Sequence, residues 1–494
     1  MSPTSALRSL LAATFLIACM VLRAQNPGTP DLTFGTNGMV LVPTISGSDF
    51  VEQAGVQTTG HVMLVTNSIL VRVDSNGVVD PSFGNNGQLE VTDFYITAML
   101  VLPDDKVLVV GDDGADAVMR RLNTDGSTDT SFGTNGTAAA DFGHWELVRR
   151  LFLADNGDII AVGKTETGGS NNDVIVMRYD GNGDVVTTFG TNGAVLVDVA
   201  GSNDEAWDVE QLSGGDLLVG AQAYDNGNKF TVVRLDPMGQ LVTSFGTNGI
   251  FQEDVTNRPS SLRRLAVDGS DRIVLGGSYD NVSSYEYAAM RLLPTGVLDN
   301  SFSGDGIREE TLGTERVNDM LLRDDDGVIL AGWGPTPGEG DDFLLVSYLA
   351  WGAPDPGFGA SGYTRTDAGT GNDDRGVVLL RTPTGKFLFC GHAQTATGWN
   401  ILLARYYGFA PISTGIADAD DRVLQVHPNP ATDRITLSGL PSEAEQGWFI
   451  RDLLGQEVLS GTDEGDVFSI DVSTLVPGTS LLQAGGSVQR FVKR

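Results

Sequence analysis

The chain has almost no cysteine. Cys19 and Cys390 are its two thiols in 494 residues, too few for a disulfide framework. Cys390, in the run Phe-Leu-Phe-Cys-Gly, reads as a small buried apolar residue rather than a reactive thiol. Basic residues are also scarce. Lys and Arg number 31 against 64 Asp and Glu, a net charge of −33. That balance argues against nucleic acid as a partner, because phosphate binding needs a basic face. The four histidines, His61, His144, His392 and His427, never form a His-x-x-x-His pair, so a zinc site has no local support. There is no Gly-x-Ser-x-Gly elbow, P-loop or dinucleotide fingerprint. After residue 24 no apolar stretch is long enough to span a membrane.

One apolar run does occur near the start. Arg8 precedes Leu10 to Leu22, which is too short for a spanning helix, and Ala24-Gln25 suits signal-peptidase cleavage. Residues 1–24 are therefore expected to be an export signal. Leu16-Ile-Ala-Cys19 also resembles a lipobox that would leave a lipid on Cys19. The apolar run continues past the cysteine, which favours the ordinary leader.

What the chain has in abundance is glycine, 63 residues, and a period. Phe-Gly-x-Asn-Gly or a close relative starts at Phe34, Phe83, Phe132, Phe189, Phe245, Phe302 and Phe358, at intervals of 49, 49, 57, 56, 57 and 56 residues. Such spacing signals repeated supersecondary units that bury their faces on one another. Each unit reads as strands: an apolar segment, a Gly/Asp turn, a strand ending in Gly, a variable loop, a strand with Arg, then the Phe motif. An arginine stands eleven positions before the Phe at Arg72, Arg121, Arg178, Arg234 and Arg291, whereas Ser347 replaces it before Phe358. The last unit has Arg405 and no Phe motif after it. A residue repeated in every unit makes the same structural contact in each, so a turn Asp or carbonyl is the expected partner. The Phe is expected to plug the gap between units.

The array begins with a motif and one strand and ends three strands into a unit. Met39 to Val42 is therefore expected to be the fourth strand of the last unit. The predicted fold is all-β: a seven-bladed β-propeller over residues 25–410, closed by an N-terminal strand, which removes exposed edges. The unit running from Gly157-Asp-Ile-Ile-Ala-Val-Gly163 through Val176-Met-Arg-Tyr-Asp180 to Phe189-Gly-Thr-Asn-Gly193 resembles the delta-60 repeat of predicted bacterial propellers. The resemblance covers roughly residues 31–407. It implies a propeller-like fold and no defined activity.

After a linker, residues 411–422, short alternating strands over residues 423–494 suggest a small β-sandwich. The order of its pieces resembles a type A sorting domain of the type IX (Por) secretion system. They are Pro428-Asn429-Pro430-Ala431, Asp452-Leu-Leu-Gly455-Gln-Glu-Val458, Ile470-Asp-Val-Ser-Thr-Leu475, Gly478 and the closing Phe491-Val-Lys493-Arg494. After Gly478 the family usually places an aromatic, whereas Thr479 and Ser480 precede Leu481 here. The resemblance implies the type IX machinery as partner, passage across the outer membrane, and release or surface anchoring.

Variable loops on a rigid repeat are where binding is expected. Trp145, Trp207, Trp333 and Trp399 fall in or beside them, with Tyr224, Tyr279, Tyr285 and Tyr287. Acidic pairs lie there too, at Asp112-Asp113, Asp204-Glu205, Asp341-Asp342 and Asp373-Asp374. Aromatic rings beside carboxylates suit sugar stacking or a polar peptide; packing at blade ends is the plainer role. Asp180-Gly-Asn-Gly-Asp184 looks like a calcium loop but lacks the downstream Glu of an EF-hand. The expectation is a secreted or cell-surface, non-enzymatic binding protein without a required cofactor, calcium being the one candidate. Its ligand would be an extracellular glycan or protein. The alternatives are a polysaccharide hydrolase or lyase on the same scaffold, and a structural surface-layer component.

Overall fold

In a computed structural model the described residues are 26–42 and 50–409, apart from loop positions 67, 115, 169–170, 202, 225–226, 283, 314–315, 337, 339, 370 and 397. In the tail they are 425–427, 431–438, 446–451, 457–463, 467–484 and 487–494. The expected leader, the linker, Pro428, Asn429, Pro430 and Gly455 lie outside them. The described residues form strands and turns, with no helix. Two compact units divide at residues 409 and 410.

The first unit is a seven-bladed β-propeller of four-stranded antiparallel sheets. Blade 3 shows how the sequence builds one. Glu146–Leu153, Ile159–Gly168, Asn171–Tyr179 and Ala194–Val197 pair in chain order. Its middle strands read Ile-Ile-Ala-Val and Val-Ile-Val-Met, and these eight residues are buried on both faces because each blade is packed between two others. The innermost strands of blades 1 to 7 are Val51–Val56, Tyr95–Val101, Glu146–Leu153, Asp204–Gln211, Ser260–Val267, Arg316–Leu322 and Asp374–Arg381.

Blade 7 closes the ring as the sequence predicts. Asp374–Arg381, Phe387–Thr395 and Gly398–Tyr406 are completed by Met39–Val42, with Met39 opposite Ala404 and Val42 opposite Ile401. Closure covers the edge that Gly398–Tyr406 would otherwise present.

The repeated motif fastens each blade to the next. All seven motif phenylalanines are at most 1% exposed. Each ring packs against the turn glycine of the following blade, from Phe34 on Gly77 round to Phe358 on Gly28. At Gly28 φ is +78°, and an added Cβ would sit 2.5 Å from Phe358 Cζ, so both backbone conformation and space demand glycine. The arginines lie over those rings. Arg178 Nε donates to Asp158 Oδ2 at 2.7 Å, Nη1 donates to the Pro237 carbonyl of the next blade at 2.7 Å, and the guanidinium sits 5.7 Å from the Phe189 centroid. Arg72, Arg121, Arg234, Arg291 and Arg405 repeat this set of a carboxylate, a next-blade carbonyl and a motif ring. In blade 6, where Ser347 stands instead, Arg323 enters from the neighbouring turn. It donates to Ser347 Oγ at 3.0 Å and Asp355 Oδ2 at 2.6 Å. The charge is kept although its position in the sequence has moved.

The second unit contains a three-stranded sheet, Gln425–His427, Arg434–Ser438 and Val467–Asp471. A four-stranded sheet joins Glu457–Asp463, Gln446–Arg451, Gly478–Ala484 and Ser487–Lys493. Ile435, Leu437, Trp448, Ile450, Ile470, Leu482 and Phe491 form one core between them. The Thr479-Ser480 departure falls within a paired strand, with Thr479 opposite Val492. Lys493 is buried and its Nζ donates to the Arg494 carbonyl at 2.7 Å.

Candidate functional site

Every innermost strand carries a β-bulge, between Val51 and Gln53, Ile96 and Ala98, Val148 and Arg150, Ala206 and Asp208, Leu262 and Arg264, Val317 and Asp319, and Gly376 and Val378. A bulge leaves one residue unpaired and re-aims its side chain. Those residues are Glu52, Thr97, Arg149, Trp207, Arg263, Asn318 and Val377, and all seven line one cavity of about 340 Å³ on the propeller axis. It lies towards the end with the variable loops, where Phe50 and His392 complete its wall. One structural position, repeated seven times, thus supplies seven side chains of six kinds, arginine twice, to a single pocket.

The flank after the bulge is rigid. Asp208 Oδ2 accepts from Leu265 N at 3.0 Å, Asp319 Oδ2 accepts from Leu379 N at 2.7 Å, and Gln53 Oε1 accepts from Met99 N at 3.1 Å. Arg264 is clamped on Asp319 at 2.7 Å. These bonds skip from blade to blade and hold the floor of the pocket.

At the mouth, arginines and aromatic rings alternate. Trp207 lies between Arg149, 4.9 Å from its ring, and Arg263, 4.3 Å from it. Arg316 sits 3.8 Å from the Tyr285 centroid and 6.0 Å from that of Trp333. Arg375 reaches Trp333 at 4.9 Å and Trp399 at 5.5 Å. Trp399, His392 and Phe50 form a cluster with centroids 5.0–5.3 Å apart. Arg149 is paired with Glu205 at 2.6 Å and Arg375 with Asp373 at 2.8 Å. Among the described residues Arg263 and Arg316 form no close ion pair, and Glu205 and Asp341 act on them only at longer range. Burial, together with Arg264, Arg316 and Arg149, pulls the Arg263 guanidinium down to about 10. In so acidic a chain this is a concentrated positive site, and Trp207 Nε1 is buried there without a hydrogen-bond partner.

The expected binding residues divide into three groups. Trp207, Trp333 and Trp399 belong to this arginine–aromatic ring. Tyr224 is 55% exposed and lines a separate polar recess with Asn172, Asn203 and Asn228. Two others are fixed elsewhere: Trp145 Nε1 donates to Asp112 Oδ2 at 2.8 Å, and Tyr279 is 3% exposed within the blade 5 core. Tyr279 is therefore a packing residue, because strand pairing opposite Ser260 turns its ring inward. The calcium-like loop at Asp180 is also a structural turn, with Asp180 Oδ1 accepting from Asn182 N at 2.8 Å and Asp184 N at 3.0 Å. Reading the sequence missed the arginines of the innermost strands. Val148-Arg-Arg-Leu151 and Leu262-Arg-Arg-Leu265 break strict alternation at equivalent places, and that is the trace the bulge leaves in sequence.

His392 is 8% exposed, its Nδ1 lacks a hydrogen-bond partner, and burial beside Arg375 lowers its pKa to about 4. The unfolded chain therefore binds the extra proton between pH 4 and 6.5. The stabilising contribution is complete above pH 6.5 and lost as the pH falls towards 4, on the order of 3 kcal/mol in all. His392→Gln should lose less stability than the parent between pH 7 and 4.5 in urea titrations. Equal losses would show that this imidazole does not sense acid.

A larger cleft of about 910 Å³ lies along the outer side of blades 3 and 4, between Ala194–Val197 and the turn Gly239–Leu241. Its wall offers few charged groups for chemistry.

The fold and the comparisons together define a β-propeller protein. Residues 102–132 and 268–302 match the family described as a domain of unknown function (DUF5122) beta-propeller. No curated protein matches the chain. Among solved structures, virginiamycin B lyase from Staphylococcus aureus is similar at 10% identity and a TM-score of 0.45, over 74% of this chain and 98% of that one. The polysaccharide lyase Uly1 matches at 10% identity and a TM-score of 0.44, over 79% and 94%. Drosophila Plexin A, solved in complex with Semaphorin 1b, matches at 8% identity and a TM-score of 0.39, over 78% and 88%.

Proposed function

We propose that this is an exported, non-enzymatic binding propeller whose axial pocket takes an anionic ligand, an acidic glycan chain being the best chemical fit. The observation that carries this reading is Trp207 held between Arg149 and Arg263, with Arg263 in no close ion pair among the described residues. Guanidinium groups bind carboxylate or sulfate in bidentate fashion, and the Trp207 ring between them holds the two cations in place. The delta-60-like repeat supplies the scaffold. The leader and the sorting-domain resemblance of the tail support delivery through type IX secretion to the surface or medium.

The test is titration of the mature chain with uronate-containing or sulfated oligosaccharides and with neutral ones of equal length. Acidic sugars should bind, and more weakly as salt is raised. Trp207→Ala and Arg263→Ala should each weaken binding about tenfold or more, ~1.4 kcal/mol. Equal binding of neutral and acidic chains, or no effect of either variant, would overturn the reading.

A second reading has one observation in its favour. His392, kept neutral beside Arg375, shares the pocket with Arg149 and Arg263. A neutral base beside guanidinium groups is the arrangement that proton abstraction next to a carboxylate requires. Unsaturated product released during the same titration would move the assignment to a lyase.

A further inference from the structure

Away from the axial pocket, two blade junctions carry the same cluster of acids. At the junction of blades 3 and 4 these are Asp173, Asp198 and Asp204, and at that of blades 6 and 7 they are Asp342, Asp367 and Asp374. In each cluster one carboxylate oxygen per residue lies within 4.8 Å of the other two. The positions are equivalent in register: Asp173 faces Thr165 and Asp342 faces Gly334 on the second strand. Asp204 and Asp374 begin the next innermost strand.

Acids alone do not make a site, and here there are two further observations. Asp204 and Asp374 are both 0% exposed. Asp204 Oδ2 accepts from Val199 N at 2.7 Å and Ala200 N at 3.2 Å, and Asp374 Oδ2 accepts from Ala368 N at 2.6 Å. Their other oxygens, both Oδ1, are buried without a hydrogen-bond partner, as is Asp173 Oδ1. Each junction therefore holds a buried acceptor that the protein itself does not satisfy.

The junction of blades 4 and 5 shows what the connection requires without the cluster. There Ser260 occupies the place of Asp204, and its Oγ accepts from Val255 N at 2.9 Å and donates to the Arg258 carbonyl at 2.8 Å. Lys229 stands at the equivalent of Asp173, facing Ala223. A neutral hydroxyl thus serves the backbone, and the three-acid arrangement is not needed to hold the loop.

We propose that the two acidic junctions are divalent-cation sites of calcium type, each clipping one blade to the next. The donors are all hard carboxylate oxygens, which select calcium or magnesium over zinc or copper. Calcium–oxygen distances of about 2.3–2.6 Å place two ligands of one ion up to ~5 Å apart, which matches the spread of these oxygens. The variable polar loops suit calcium's flexible geometry better than the strict octahedron of magnesium. The sites are independent of the axial pocket.

The experiment is calorimetric titration of the EDTA-stripped, dialysed full mature chain with calcium chloride, and separately with magnesium chloride. Two calcium ions per chain are expected, with Kd of about 10⁻⁴–10⁻³ M, the range of extracellular modules, and weaker magnesium binding. Asp204→Asn and Asp374→Asn should each remove one ion and together both. These near-isosteric changes keep an acceptor for the loop amides. Asp198→Asn and Asp367→Asn, on less buried members, should weaken one site each by tenfold or more and give the same answer if the buried variants fail to fold. No calcium heat up to about 10 mM, or a stoichiometry that none of the four variants changes, would overturn the proposal.

Discussion

Deleting residues 26–42 is expected to melt blade 7 and to lower the stability of the whole ring. That segment supplies the pairing partner of Ile401–Ala404 and the fully buried Phe34, packed among Val62, Leu64, Val71 and Leu403. Loss of a buried phenylalanine alone costs about 3–5 kcal/mol. Asp31 goes too. It is 0% exposed and bonded to Arg405 Nε and Lys386 Nζ, each at 2.7 Å. Burial by itself would raise this carboxyl, yet the bonds from Lys386, Thr33 and Arg405 hold it well below the usual carboxylate range. The stability it confers is therefore present above the ordinary carboxylate pKa and lost in strong acid. Removing it strands two cations, worth a further ~3 kcal/mol. Domain stabilities are only about 5–15 kcal/mol, so the deletion should leave Gly398–Tyr406 unprotected in amide exchange and lower the denaturation midpoint. Unchanged protection there would mean that closure contributes nothing.

Arg291→Met should cost about 3–5 kcal/mol, more than the same change elsewhere in the arginine series. Arg291 is 2% exposed and Asp299 6%. The pair is bonded at 2.8 Å, Nη2 donates to Ser301 Oγ at 2.8 Å, and Nη1 donates to the Ala350 carbonyl of blade 6. Methionine would fill the space over Phe302 but leave a buried carboxylate without its counter-charge. Arg178 and Asp158 form the equivalent pair with side chains 15% and 16% exposed. Water can partly solvate what Arg178→Met leaves behind, so its cost should be nearer ~1 kcal/mol. Adding Asp299→Asn to Arg291→Met should restore part of the loss, because the uncompensated charge is then gone. Urea midpoints of the three variants measure this. Equal costs at Arg291 and Arg178 would show that burial does not set the worth of these pairs.

The amino-acid sequence alone determined the propeller. The Phe-Gly-x-Asn-Gly period set the blade count, because a motif that plugs one blade against the next must recur once per blade. The unfinished unit at residues 374–406 and the orphan strand at Met39–Val42 required each other, since an unpaired edge is costly. Aromatic residues near the variable loops were legible too: Trp207 lines the axial pocket, and Trp333 and Trp399 are linked to its rim through Arg375 and His392. The tertiary structure decided the rest. A bulge moves one residue per innermost strand out of the alternating pattern, so Arg149 and Arg263 reach the pocket from positions that read as ordinary strand. Tyr279 and Trp207 look alike in sequence, but strand register buries the first and bulge geometry turns the second to the axis. Each acidic junction joins one residue of a third strand to two that flank the connection to the next blade, and only folding brings their oxygens within 4.8 Å of one another.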